Sequence, residues 1–369
     1  MSPQPSVLVL GGVGFIGRNL VAYLVENNLA TEIRVVDKVL IQTAYFNKRF
    51  HAAFEKVEYM QGNLSNPASI KKCFTREDGS SFDYVINLAA ETKFSQADEI
   101  YEDRIYNLSV LCAKEAVKSG AKVFVQMSTG DIYEGSKSAS KEDSKTKPWN
   151  TMATYKLKAD EELQKIEGLN LVILRPAVVY GIGAMGGLTP RLICGRVYKH
   201  LDKKMEFLWT GDLCINTVHV EDVSRAIWHA ANWYVNNGNQ GSVVFNLADS
   251  NNTDQGAVNT HISAIFGIET GFQGTLISKM AKLNMGGATE DINELHLEPW
   301  SQLLKAHNIT TSPLTPYLDQ ELLRDNALSL DGTKICTLTD FKYEHPSLTT
   351  ESLREVITDF QELGIWPRD

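Results

Sequence analysis

The sequence predicts an α/β fold built on a doubly wound parallel sheet, with a smaller mixed C-terminal region. Three observations carry that expectation. A short apolar strand near the N-terminus runs into a glycine-rich turn. Strands and amphipathic helices then alternate through the first half of the chain. The length, 369 residues with 43% hydrophobic content, suffices for one large domain or two.

The first strand, Val7-Leu8-Val9-Leu10, passes through glycines at 11, 14 and 17 directly into a helix, with Phe15 and Ile16 inside the turn. Such a turn brings backbone close to a diphosphate, and the N–H groups and dipole of the helix start favour its negative charge. A second strand, Ile33 to Val36, ends in Asp37, twenty residues after Gly17, with Lys38 next. An acid at that position accepts hydrogen bonds from an adenosine ribose and repels a 2′-phosphate, so NAD is expected rather than NADP. A Rossmann-type dinucleotide-binding half follows from these two elements together.

Further strands are expected at 57–60, leading into Gly62-Asn63-Leu64, and at 84–88, leading into Ala89-Ala90. A helix from Arg104 to Ser119, closed by Gly120, precedes a strand at 123–127. A Lys/Glu-rich helix over 154–166 precedes a strand at 171–174. Gly181 to Gly187 holds four glycines and reads as a loop. Beyond it come a helix from 220 to 234, a strand at 243–247, helices near 274–284 and 291–307, and a last helix from 350 to 363. Residues 1–180 are expected to form the NAD-binding domain. Residues 181–369 would form the substrate-binding domain, with about 218–248 packing back on the first.

A net charge of −9 and a pI near 5.5 argue against a general nucleic-acid or anionic-membrane surface. The N-terminus lacks the basic start and apolar stretch of a secretory signal, and no run of eighteen apolar residues occurs. Five scattered cysteines without a Cys-x-x-Cys pair suggest reduced thiols, hence a cytoplasmic protein. No His/Cys/Asp cluster has metal-ligand spacing, so no metal is expected. His219, between two valines, is expected to be structural, and Asp222 to be a helix-start acid.

With these elements placed, the chain resembles the extended short-chain dehydrogenase/reductase family, also called the NAD-dependent epimerase/dehydratase family. The motifs are the glycine turn at 11–17, Asp37, Asn87-Leu88-Ala89-Ala90, Ser128-Thr129-x-x-Ile132-Tyr133 and Leu174-Arg175-Pro176-x-x-Val179-Tyr180-Gly181. Val218-His219-Val220-Glu221-Asp222-Val223 and Asp331-Gly332-x-Lys334 complete them. The resemblance implies that Leu88, Ala89 and Ala90 line the adenine and diphosphate. Asn63, with Leu64, stands where the family commonly has an Asp that holds the adenine amine. Thr92 and Arg191 would contact the substrate, and a homodimer would form through the helices at 104–119 and 154–166.

Members of that family use a Ser or Thr, a Tyr and a Lys, the last two as Tyr-x-x-x-Lys. The tyrosine moves a proton to or from a substrate hydroxyl while hydride passes to or from nicotinamide. A phenol with an ordinary pKa of about 10 needs a neighbouring cation to act near neutrality. Here the helix reads Ala153-Thr154-Tyr155-Lys156-Leu157-Lys158. Aligning its later residues makes Lys158 the family lysine, and Tyr155 and Lys158, three apart, are neighbours on a helix surface. On that reading Thr129 orients the hydroxyl, Tyr155 is the acid/base, and Lys158 tunes it and binds the nicotinamide ribose. Alternatively Tyr155 is a half-buried aromatic, Lys158 a solvated charge, and the protein binds NAD without turnover.

Nucleotide-sugar 4,6-dehydratases of the family carry Thr-Asp-Glu where this chain has Thr129-Gly130-Asp131. With one acid missing, simple dehydration is disfavoured. Asp131 is either an acid or base, or a turn residue. Arg191, Arg196, Lys199, Lys203 and Lys204 either grip a substrate diphosphate or form a solvated basic face. The expected activity is oxidation of a secondary hydroxyl on a nucleotide sugar or similar polar metabolite, by an epimerase (an isomerase) or a dehydrogenase. A 3β-hydroxysteroid-type dehydrogenase and a non-catalytic NAD-binding sensor or assembly protein are the alternatives.

Overall fold

A computed structural model describes residues 4–238 and 240–368, with backbone only at 275 and 276. Seven strands form one parallel sheet: β1 (Ser6–Leu10), β2 (Glu32–Asp37), β3 (Glu58–Gln61), β4 (Tyr84–Asn87), β5 (Val123–Met127), β6 (Leu171–Pro176) and β10 (Ser242–Leu247). β7 (Val178–Tyr180) pairs with β9 (Thr217–His219), and β8 (Met205–Phe207) with β11 (Thr270–Phe272). The first helices are α1 (Phe15–Glu26), α2 (Lys48–Phe54), α3 (Pro67–Phe74), α4 (Asp98–Tyr101), α5 (Leu108–Ser119) and α6 (Thr151–Leu163). Then come α7 (Thr189–Leu201), α8 (Val220–Asn236), α9 (Gln255–Phe266), α10 (Thr275–Leu283), α11 (Met285–Ala306), α12 (Thr333–Thr339) and α13 (Thr350–Glu362).

The strand order β10-β6-β5-β4-β1-β2-β3 reverses direction between β1 and β4. At that switch the connections leave on opposite faces and open a crevice beyond the carboxyl ends of the strands. Alternation along each strand sends side chains to both faces. Val7, Val9, Ile86, Val125 and Val172 pack with α1 and α8, while Leu8, Leu10, Val85, Phe124 and Ile173 pack with α3 and α5. A separate apolar cluster joins α7, α9, α11 and α13 through Leu192, Ile262, Trp300, Phe360 and Trp366. Among the described residues, no helix is long and apolar enough to cross a membrane.

The helix over 104–119 differs in one respect from its expected form. Its first part, Glu102–Asn107, is a π-helical turn that runs into α5, and Gly120 closes the helix at φ 81°. The helix carrying Tyr155 starts a turn earlier than the pattern indicates. Asn150 caps it by accepting from the Ala153 N–H at 2.7 Å, so Tyr155 lies in its second turn rather than at its entry.

Two glycines of the first turn are sterically obligatory. Gly11 has φ 77°, and a Cβ there would lie 2.6 Å from the Ala89 nitrogen, so the segment leaving β4 can pass only glycine. A Cβ on Gly17 would lie 2.5 Å from the Gly12 Cα and 2.6 Å from the Gly11 carbonyl oxygen. Both are backbone atoms, and no rotamer change relieves the contact. Gly17→Ala should therefore destabilise the protein by about 1–3 kcal/mol despite the better helix propensity of alanine, read as a lower urea midpoint at unchanged slope.

Candidate active site

At the β1–β4 switch the glycine turn presents an open helix start. Gly14 caps α1 without a side chain, the first turn of α1 holds no acid, and a Cβ on Gly14 would touch only the Gly11 carbonyl. Phe15 and Ile16 are half-buried beside it. Asp37 is buried at the end of β2, accepting from the Val13 N–H (3.0 Å) and the Val39 N–H (3.0 Å). Lys38 is exposed next to it. Leu88, Ala89 and Ala90 leave the end of β4 half-exposed on the same side. Asn63 is exposed, its Oδ1 accepting from the Ser65 N–H at 3.1 Å, while Leu64 points into the core. A cradle left free by glycine, a helix N-terminus and an acid at the next strand end fit a dinucleotide.

The carboxyl end of β5 carries the second group. Thr129 caps a short 3₁₀ turn, its hydroxyl accepting from the Asp131 N–H at 3.2 Å. Asp131 accepts from the Asn150 Nδ2 at 3.2 Å, so the residue that caps α6 also holds this carboxylate. Burial pushes the Asp131 carboxyl up to about 6, against the pull of Asn150 and of the Lys156 ammonium. A carboxyl near that value exchanges protons close to neutrality.

Lys156 enters this group, and Lys158 does not. The Lys156 Nζ donates to the Ser128 (3.2 Å) and Met127 (3.4 Å) carbonyls at the end of β5. Burial lowers its pKa, opposed by Asp160 and Asp131. The Lys158 Nζ lies on the outer surface, 3.2 Å from the Glu102 Oε2 and 4.7 Å from the centre of the Tyr155 ring. Tyr155 stacks on Tyr101 at 6.0 Å. Slight desolvation and Asp98 hold its phenol above the ordinary value, and Lys158 only partly offsets them. The expected Tyr155–Lys158 contact forms, but on the face of α6 that turns away from β5.

The reason is the inward stripe of α6. Ala153, Lys156, Asp160 and Leu163 follow each other at intervals of three, four and three, and Lys158 falls outside it. Asp160 is fully buried; its Oδ2 accepts from the Ser128 hydroxyl (2.7 Å) and the Arg175 Nε (3.2 Å). Arg175 also donates to the Tyr133 hydroxyl at 3.0 Å, which donates to the Asn246 Oδ1 at 2.8 Å. Counting back from Asp160 in steps of four reaches Lys156 and then Met152, a signal that was present in the sequence. Met152 therefore stands where a Tyr-x-x-x-Lys spacing would put the phenol.

Gly130 also has a packing cause. A Cβ there would collide with the Leu330 Cδ1 and lie 3.1 Å from the Pro176 carbonyl oxygen, so a side chain between Thr129 and Asp131 requires Leu330 to move. Glu321, which no sequence pattern indicated, is buried and joins the C-terminal region to this end of the sheet. It accepts from the Thr151 N–H and hydroxyl (both 3.1 Å) and from the Ser95 N–H (3.4 Å). Thr92 is exposed and donates its N–H to the Glu91 Oε1. Arg191 lies 5.0 Å over the Phe207 ring with a buried Nη1 that has no partner, and burial lowers it to about 10.

The model of the NAD dependent epimerase/dehydratase family matches residues 7–248, and the chain belongs to that family. NAD is the cofactor of the family. The dTDP-D-glucose 4,6-dehydratase of Mus musculus is 29% identical over 183 residues, 47% of this chain and 50% of the relative. The human enzyme of that name is 28% identical over the same length. The chain thus spans about half the length of these curated relatives. The structure of MoeE5 in complex with UDP-glucuronic acid and NAD superposes with a TM-score of 0.68 at 18% identity, covering 97% of this chain and 99% of the other. The UDP-glucose 4-epimerase of Thermotoga maritima gives 0.65 at 19% identity, with 96% and 98% covered. At such identity these structures establish the fold.

Replacing Asp160 by Asn leaves the Arg175 guanidinium buried without a counter-charge. Asp160→Asn should cost about 3 kcal/mol or more, read by denaturant unfolding, and more than Lys158→Ala on the outer face of the same helix.

Proposed function

We propose that this protein is a cytoplasmic NAD-dependent enzyme acting at a secondary hydroxyl of a nucleotide sugar or similar polar metabolite, as an epimerase or dehydrogenase. The observation that carries the reading is the meeting of Lys156, Asp131 and Thr129 at the carboxyl end of β5. Bound NAD supplies hydride acceptance and return. Thr129 orients the substrate hydroxyl, and Asp131 takes its proton in the absence of a phenol at 152. Lys156 keeps one N–H beyond its two carbonyl partners and takes the ribose and tuning role that the sequence assigned to Lys158. Arg191 meets the diphosphate with its unpartnered Nη1. The missing side chain at 130 speaks for epimerisation or simple oxidation over 4,6-dehydration. The reading includes a homodimer through α5 and α6.

A second reading, NAD binding without turnover, is favoured by Met152 alone. The first step is to denature the purified protein, identify any released nucleotide, and screen nucleotide sugars by NMR for conversion. Under the enzymatic reading, Asp131→Asn and Lys156→Ala lose about 10²–10⁴-fold in rate, whereas Tyr155→Phe stays within a few-fold. The wild-type rate should rise with pH through about 6 as Asp131 loses its proton, a limb that Asp131→Asn removes. Bound NAD with no conversion in the screen would support the second reading.

A further inference from the structure

On the β9–α8 junction, three potential metal ligands from distant parts of the chain come together. We propose that His219, Glu221 and His345 form a binding site for one divalent transition-metal ion of the zinc, copper or nickel kind. Their donor atoms all lie within 4.8 Å of one another, and among the described residues they are the group that does so. The His345 Nε2 and the Glu221 Oε2 are 3.2 Å apart. Two ligands on a tetrahedral zinc with bonds of about 2.0–2.1 Å stand about 3.3 Å apart.

The backbone around the three is held firmly. His219 is buried, closes β9, and caps α8 by accepting the Glu221 N–H on Nδ1 at 3.3 Å. That nitrogen is therefore unprotonated, and the bond it would exchange for a metal is a long one. His345 follows α12 in sequence, and the buried Asp222 carboxylate pins its segment by accepting the Glu344 (2.9 Å) and His345 (2.8 Å) N–H groups. Glu221 turns its Oε1 to Arg49 at 3.2 Å, but Arg49 also grips Glu26 through two nitrogens at 2.7 and 2.8 Å. A metal that takes Glu221 leaves that arginine paired.

The two imidazole rings stack at 3.8 Å with 28° between their planes, so one must turn for both lone pairs to converge. His345 is the ring with room to do so, its side chain 35% exposed, while His219 is wedged against Tyr180 at 5.1 Å. The positive end of α8 works against a cation, and Glu221 in its first turn opposes it, while Asp222 beside it is paired with Arg225 at 2.6 Å. Two imidazoles and a carboxylate suit zinc, copper and nickel, and the open side leaves a fourth position for water. The separation of 124 positions between Glu221 and His345 explains why no ligand spacing is visible in the sequence.

The test is equilibrium dialysis of the chelator-stripped, full-length protein against micromolar Zn²⁺, followed by metal analysis. The expected result is one equivalent, with His345→Ala and Glu221→Gln each weakening binding at least about tenfold. A variant lacking the exposed His200 and His307 should keep wild-type binding. Circular dichroism and nucleotide content of each variant establish that it is folded. Sub-stoichiometric uptake by the wild type, or wild-type affinity in folded His345→Ala and Glu221→Gln, would overturn the proposal.

Discussion

The arrangement of this site depends on one buried carboxylate. Asp160 has no exposed surface, and its Oδ2 is shared by the Ser128 hydroxyl and the Arg175 guanidinium. Those partners sit at the ends of β5 and β6, so the interaction fixes α6 against the sheet in both rotation and height. A charge placed this deep is tolerable only because its partners are equally fixed. Rotating α6 would orphan both Asp160 and Arg175, which makes the register of that helix hard to change.

From that register follows the chemistry available. One turn before Asp160, Lys156 points inward to the carbonyls of residues 127 and 128, and one turn earlier stands Met152. Lys158 and Tyr155 are turned outward to Glu102 and Tyr101. Beside Lys156 at the end of β5 lies a carboxyl, Asp131, raised by burial and steadied by the cap residue of α6. A thioether cannot carry a proton, so Met152 cannot supply the acid/base group that a phenol at that position would.

The C-terminal half contributes less by its own sheet than by its contacts. Leu330 fills the space beside Gly130, and Glu321 ties its segment to the first turn of α6 and to the loop after β4. These contacts come from a polar, irregular stretch that carries no periodicity. They nevertheless shape the site as directly as the strand ends do.

Residues close in sequence determined the fold by themselves. The glycines at 11, 14 and 17, Asp37 and the alternating strands act over one or two elements, where apolar periodicity and turn chemistry are sufficient. The placement of the glycine turn, Asp37 and the end of β4 on one side of the sheet was legible for the same reason, because a strand, its turn and the next strand end are local. The arrangement around α6 was not. Which lysine of α6 faces the sheet depends on Asp160 meeting Ser128 and Arg175, residues 32 and 15 positions away. The 3.6-residue repeat allowed Tyr155 and Lys158 to meet, and only the burial of Asp160 decided that Lys156 rather than Lys158 faces the sheet. The meeting of His219 and Glu221 with His345 was likewise decided by tertiary structure, through the hold of Asp222 on a segment 122 residues on.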